Sequence, residues 1–160
     1  MTAAQQARAL SRELTEIHDE LRQSLRQLRA GLAEPDQARS PAWSLRAHCA
    51  GFCAALVRHH GTEDATAFPL LARQAPELAP VLAELQADHQ VIAEILRRVE
   101  ELAAAGPADA GEVGGELDGL AAILESHFRW EERRIAAALD ALDPVAHPAA
   151  ELFGPAGGAG

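Results

Sequence analysis

The sequence predicts an all-α fold, specifically an antiparallel up-down-up-down four-helix bundle. Three observations lead there. The chain of 160 residues is 48% hydrophobic and has no Tyr; Ala and Leu dominate and β-branched residues are few, which favours helix over strand. Four segments repeat apolar residues every three or four positions, the mark of a helix with one buried stripe. Short connectors containing Pro or Gly separate these segments, and short connectors make neighbouring helices antiparallel.

The first helix covers residues 4–31, with a stripe of Leu10, Leu14, Ile17, Leu21, Leu25 and Leu28. Gly31 reads as its C-cap, with Pro35 in the loop beyond. Ser40 and Pro41 read as an N-cap followed by Pro at the first helical position. The second helix then runs from Pro41 to about Ala67, where Pro69 ends or kinks it. Residues 70–76 form a connector with room for a helical turn. The third helix spans residues 78–105 on a stripe of Leu82, Leu85, Ile92, Leu96 and Val99. Gly106 and Pro107 break the chain, and a fourth helix runs over residues 111–142 on Val113, Leu117, Leu120, Leu124 and Ile135. Residues 1–142 are thus one bundle domain. Residues 143–160, rich in Pro, Gly and Ala, read as a flexible tail from which Leu152 and Phe153 can dock.

Each stripe is interrupted by residues that do not belong in an apolar core. His18 sits between Leu14 and Leu21, and His89 between Leu85 and Ile92. The second and fourth helices each carry a His with a Glu four positions later, His59 with Glu63 and His127 with Glu131. That spacing puts imidazole and carboxylate on one helix face. At about 1.5 Å of rise per residue, all four helices bring these groups to one level of the core. A buried imidazole or carboxylate without a partner is costly. Six such groups at one level therefore read as ligands: His18, His59, His89 and His127 terminal, Glu63 and Glu131 bridging. Imidazole and carboxylate without thiolate suit Fe, Mn or Zn, and a redox-active di-iron pair is the usual use of a bundle core.

The order His, His-x-x-x-Glu, His, His-x-x-x-Glu, one unit per helix, resembles the haemerythrin-like (HHE cation-binding) domain family. The matching strings are IHDEL at His18, HHGTEDATAFPLL from His59, ADHQVIAEIL at His89 and SHFRWEERR from His127. The resemblance covers about residues 10–140. It implies two Fe ions in an oxo- or hydroxo-bridged non-haem centre. It also implies small ligands such as O2, peroxide or NO, with functions from reversible O2 binding through sensing to peroxide handling. The oxygen-carrying members have two His four apart on the third helix. Here Leu85 and Ala93 stand four residues either side of His89. That departure gives one iron an extra open position and favours reaction with O2 or peroxide over reversible carriage. Sensing or storage, an oxidase with an organic substrate, and a structural Zn bundle stay open as alternatives.

A formal charge of −10 argues against nucleic acid, whose phosphates need a basic surface. No apolar run reaches the ~20 residues of a membrane span, and the N-terminus lacks a signal-peptide core, so the expected location is cytoplasmic. Cys49 and Cys53 read as buried free thiols. His48 reads as a core His distant from the metals. His60, about 100° round the helix from His59, reads as facing a neighbouring helix or solvent. Asp64 and Glu132, each one residue after a ligand Glu, read either as outer partners of ligand His or as solvated carboxylates.

Overall fold

The computed structural model describes residues 8–33, 45–105 and 110–155. The expected Ser40–Pro41 cap and Gly106–Pro107 break lie outside these residues. The described residues form helices and no strands. Four long helices run over Leu10–Ala33 (α1), Leu45–Thr62 (α2), Ala79–Ala105 (α4) and Ala110–Asp140 (α5), with short α3 at Phe68–Gln74 and α6 at Ala149–Phe153. The long helices form a ring in which α1 packs on α5 and α2, and α4 packs on α2 and α5. Cross-links between α1 and α5 come in reversed order: Ser11 bonds Asp140, Arg22 bonds Glu125 and Arg29 bonds Asp118.

Two details of the helix boundaries differ from expectation. Gly31 is buried inside α1 and does not end it. The second helix continues beyond Thr62 as a π-helical turn, Glu63–Ala67, and resumes as α3 with Pro69 in its first turn. The Phe68 N–H donates to the Glu63 carbonyl, five residues back. Pro69 has no N–H and its ring crowds the preceding turn, so a widened turn relieves the clash. Because the π turn starts at Glu63, the four-residue spacing from His59 to Glu63 is kept.

The apolar core is divided in two. One cluster holds Leu21, Leu25, Leu28, Phe52, Leu56, Ile92, Val99, Leu117 and Phe128, among others. The other holds Leu10, Leu14, Phe68, Leu71, Leu82, Leu85, Ile135, Leu139 and Phe153, among others. On every long helix the His or His–Glu unit stands at the passage from one cluster to the other. The interruptions of the four stripes therefore make one polar layer across the bundle.

Residues 149–153, assigned to the tail from sequence, form α6, and Leu152 and Phe153 are buried in the second cluster. Gly154 follows with φ +85°, a backbone conformation that glycine adopts at little cost. Cys49 and Cys53 are buried free thiols, and burial pushes them up to about 11 and about 12. His48, in contrast, is exposed: its place on α2 turns away from the core, and the expectation of a core His is corrected. No described helix is long and apolar enough to cross a membrane.

Replacing the fully buried Leu117 with Ala should cost about 2–5 kcal/mol of stability. Val57→Ala, at a side chain 55% exposed, should stay within about 0.5 kcal/mol. Urea unfolding of both variants checks the pair of values.

Candidate metal centre

The structure brings His18, His59, Glu63, His89, His127 and Glu131 together in the polar layer, all of them buried. They fall into two halves. In one, His18 Nε2 lies 3.2 Å from His59 Nε2. In the other, His89 Nε2 lies 3.1 Å from His127 Nε2. The carboxylates span the halves. Glu63 sets Oε1 3.2 Å from His59 Nε2 and Oε2 3.5 Å from His89 Nε2. Glu131 sets Oε2 3.3 Å from His18 Nε2 and 3.7 Å from His127 Nε2.

Every one of these imidazoles is held at its other nitrogen. His59 Nδ1 is 2.9 Å from the Phe153 carbonyl oxygen. A carbonyl only accepts, so the proton of His59 sits on Nδ1 and its Nε2 lone pair points inward. His18 Nδ1 meets Glu132 at 2.8 Å, His89 Nδ1 meets Asp64 at 2.8 Å and His127 Nδ1 meets Asp88 at 3.1 Å. Carboxylates likewise draw the proton to Nδ1. Arg22 in turn pairs with Glu132 at 2.9 Å. The outer layer thus aims four Nε2 lone pairs at one region.

Two lone pairs 3.1–3.2 Å apart repel unless a proton or a metal cation lies between them. Both oxygens of Glu63 and both of Glu131 are also buried without a hydrogen-bond partner, and leaving such groups unsatisfied costs several kcal/mol. Cations at the two halves would satisfy all of these atoms together, so the donor set fits a pair of metal ions. Two groups each set three ligand-type atoms close together: His18, His59 and Glu63 in one, and His60, His89 and His127 in the other, so the second brings in His60, which stands outside the six.

The electrostatics of these side chains show the same strain. Burial lifts Glu63 well above the usual carboxylate range, and the nearby Glu131 adds to this. Glu131 is itself buried, but His18 and its other imidazole neighbours outweigh that and hold it below the usual range. Burial lowers the His18 pKa, yet Glu131 and Glu132 outweigh it and the net shift is upward. Burial and the positive form of His18 bring His59 down to about 4; burial and His127 do the same for His89. His59 and His89 are therefore neutral imidazoles at neutral pH.

The structure moves several residues from their expected places. His60 is buried, and its ring stacks on His89 with centroids 3.9 Å apart. Of the two places the sequence left open to it, a neighbouring helix and solvent, it takes the first, packed against α4 and α5. Asp64 and Glu132 are outer partners of His89 and His18. Asp88 and the Phe153 carbonyl were missed. Asp88 directly precedes a ligand-type His, a signal that its sequence position offered. The Phe153 contact depends on where the C-terminal segment docks, which spacing does not reveal. Phe128 was missed as well. It is fully buried and stacks on His18 at 3.9 Å. Ala93, four residues after His89, is exposed.

A helical bundle whose core is crossed by buried imidazoles and shared carboxylates defines a metal-binding bundle protein. The hemerythrin HHE cation binding domain model matches residues 5–139, and the chain belongs to that family. No curated protein and no solved structure matches the chain.

Replacing Glu132 with Ala frees His18 Nδ1 and should weaken metal binding about 10–100-fold. Glu94→Ala, at an exposed pair with Arg97, should leave metal affinity unchanged. Competition with a chromogenic chelator measures both, with circular dichroism to show that the helices persist.

Proposed function

We propose that this chain is a non-haem di-iron protein that binds and reacts with O2 or a related small oxidant such as peroxide. One observation carries the reading. Two pairs of inward-facing Nε2 atoms are spanned by two fully buried carboxylates. A single structural ion would need only one half of that arrangement. In this reading His18 and His59 hold one ion, His89 and His127 hold the other, and Glu63 and Glu131 are shared. Glu63 offers one oxygen to each half. Nitrogen and oxygen donors without thiolate suit iron, with Mn or Zn as competitors.

When bound, an iron pair supplies electrons and a docking position for a small oxidant. The chain supplies orientation and exclusion of water. Glu132, Asp64, Asp88 and the Phe153 carbonyl fix the ring tautomers, so the donors stay aimed through a change of metal charge. Phe128 covers His18, and Phe68 lies over His89 at 5.6 Å. These walls keep bulk water from the centre and favour small, weakly hydrated ligands. The same reading takes the ring of long helices as up-down-up-down. Cytoplasmic location is part of it too, supported by the two free buried thiols, which a reducing compartment preserves.

The test is iron loading followed by reduction and exposure to O2 or peroxide, read by optical spectroscopy. The expected result is two irons per chain and a near-ultraviolet change on exposure. Glu131→Ala should lose at least one iron and most of that change. A chain that takes up two zinc ions but no iron, or an iron form inert to both oxidants, would contradict the reading.

A further inference from the structure

His60 stands outside the set of six. Its side chain is 5% exposed, and its Nε2 is buried with no hydrogen-bond partner among the described residues. A ring nitrogen of His60 lies within 4.8 Å of ligand atoms of both His89 and His127. The His60 and His89 rings are nearly parallel, 11° apart with centroids at 3.9 Å, while His127 meets His60 edge-on at 5.2 Å.

That stack decides what His60 does. An imidazole ligates along a lone pair in its own ring plane. Two parallel planes separated by about 3.5 Å, the van der Waals spacing, share no point at which one ion could meet both lone pairs. An ion on His89 Nε2, at about 2.1 Å in the His89 plane, lies well out of the plane of His60. The ring is therefore adjacent to that ion without being its ligand. Its unpartnered Nε2 still needs a partner, because a buried imidazole nitrogen left unsatisfied is costly. In the di-iron reading the ligand-type residues around it are satisfied by metal and by their outer carboxylates. The partner that remains for His60 is a group that arrives with the metal, a small anion at the His89–His127 half.

We propose that His60 is a positioning residue that donates a hydrogen bond from Nε2 to a small exogenous anion bound at the His89–His127 half of the metal centre. The proposal rests on the di-iron reading above. It makes the two halves unequal. Both halves have an apolar aromatic wall, Phe128 on His18 and Phe68 on His89, but the second half also has a polar ring stacked on one of its imidazoles, His60 on His89. Exogenous ligands are thus directed to the second half, and those with an acceptor atom are preferred over those without.

The experiment uses iron-loaded full-length protein and azide as the probe anion, titrated by its optical charge-transfer band. Two variants separate the outcomes. His60→Phe keeps a flat ring to stack on His89 and removes the nitrogen. His60→Gln keeps a donor without the ring. The expected result is two irons retained in both variants. Azide affinity should fall about tenfold or more in His60→Phe, the size expected for a lost hydrogen bond to a charged group, and less in His60→Gln. Loss of one iron in His60→Phe overturns the proposal by making His60 a ligand. Full iron with azide affinity within about twofold of the parent overturns it by making His60 packing. If His60→Phe does not fold, His60→Leu, which also removes the nitrogen, is read on the same two scales. A parent protein that takes up no iron overturns the di-iron reading itself, which sets that failure apart from failure of the His60 proposal.

Discussion

Four inward imidazoles and two buried carboxylates crowd one layer of the bundle core, and everything around them is built to hold that layer. The pairing of His18 with Glu131 relieves only part of its strain. His18 and His59 face each other Nε2 to Nε2, as do His89 and His127, and the four oxygens of Glu63 and Glu131 have no hydrogen-bond partner. Replacing this layer with Leu would produce an ordinary bundle core. Instead the chain keeps a polar layer between two apolar clusters and lets those clusters hold it in place. Hydrophobic burial on either side supplies the stability that the layer itself does not.

Rigidity then comes from outside the layer. Each imidazole is anchored at Nδ1, three by carboxylates and one by a backbone carbonyl. The anchors come from other elements than the rings they hold. Glu132 on α5 holds His18 on α1, Asp88 on α4 holds His127 on α5, and α6 holds His59 on α2. The centre is therefore coupled to the packing of the whole bundle. The short α6 helix belongs to it as much as the long ones do, because Phe153 contributes both a buried ring and the carbonyl that fixes the His59 tautomer.

Much of this was legible in the sequence. The stripes located the helices, and the residues that broke them located the polar layer. His18, His59, Glu63, His89, His127 and Glu131 were found by one rule: a polar group on an apolar face at helical spacing. The rule failed where the face was misjudged. His60 lies off the His59 stripe, and of the two places that left open, a neighbouring helix and solvent, it takes the first, beside α4 and α5. His48 failed instead, since Cys49 and Phe52 fill the inward face of α2 there and His48 turns to solvent. The π turn at Glu63–Ala67 and the docking of α6 were invisible for a different reason. The first answers a local clash at Pro69, and the second depends on long-range packing that leaves no period in the chain.

The central claim is that the polar layer holds two metal ions sharing Glu63 and Glu131. X-ray absorption at the iron edge of the loaded protein tests it most directly. The account predicts nitrogen and oxygen neighbours with imidazole scattering, and a second iron at roughly 3.5–4 Å. A lone iron without a metal neighbour, or sulfur in its first coordination shell, would contradict it.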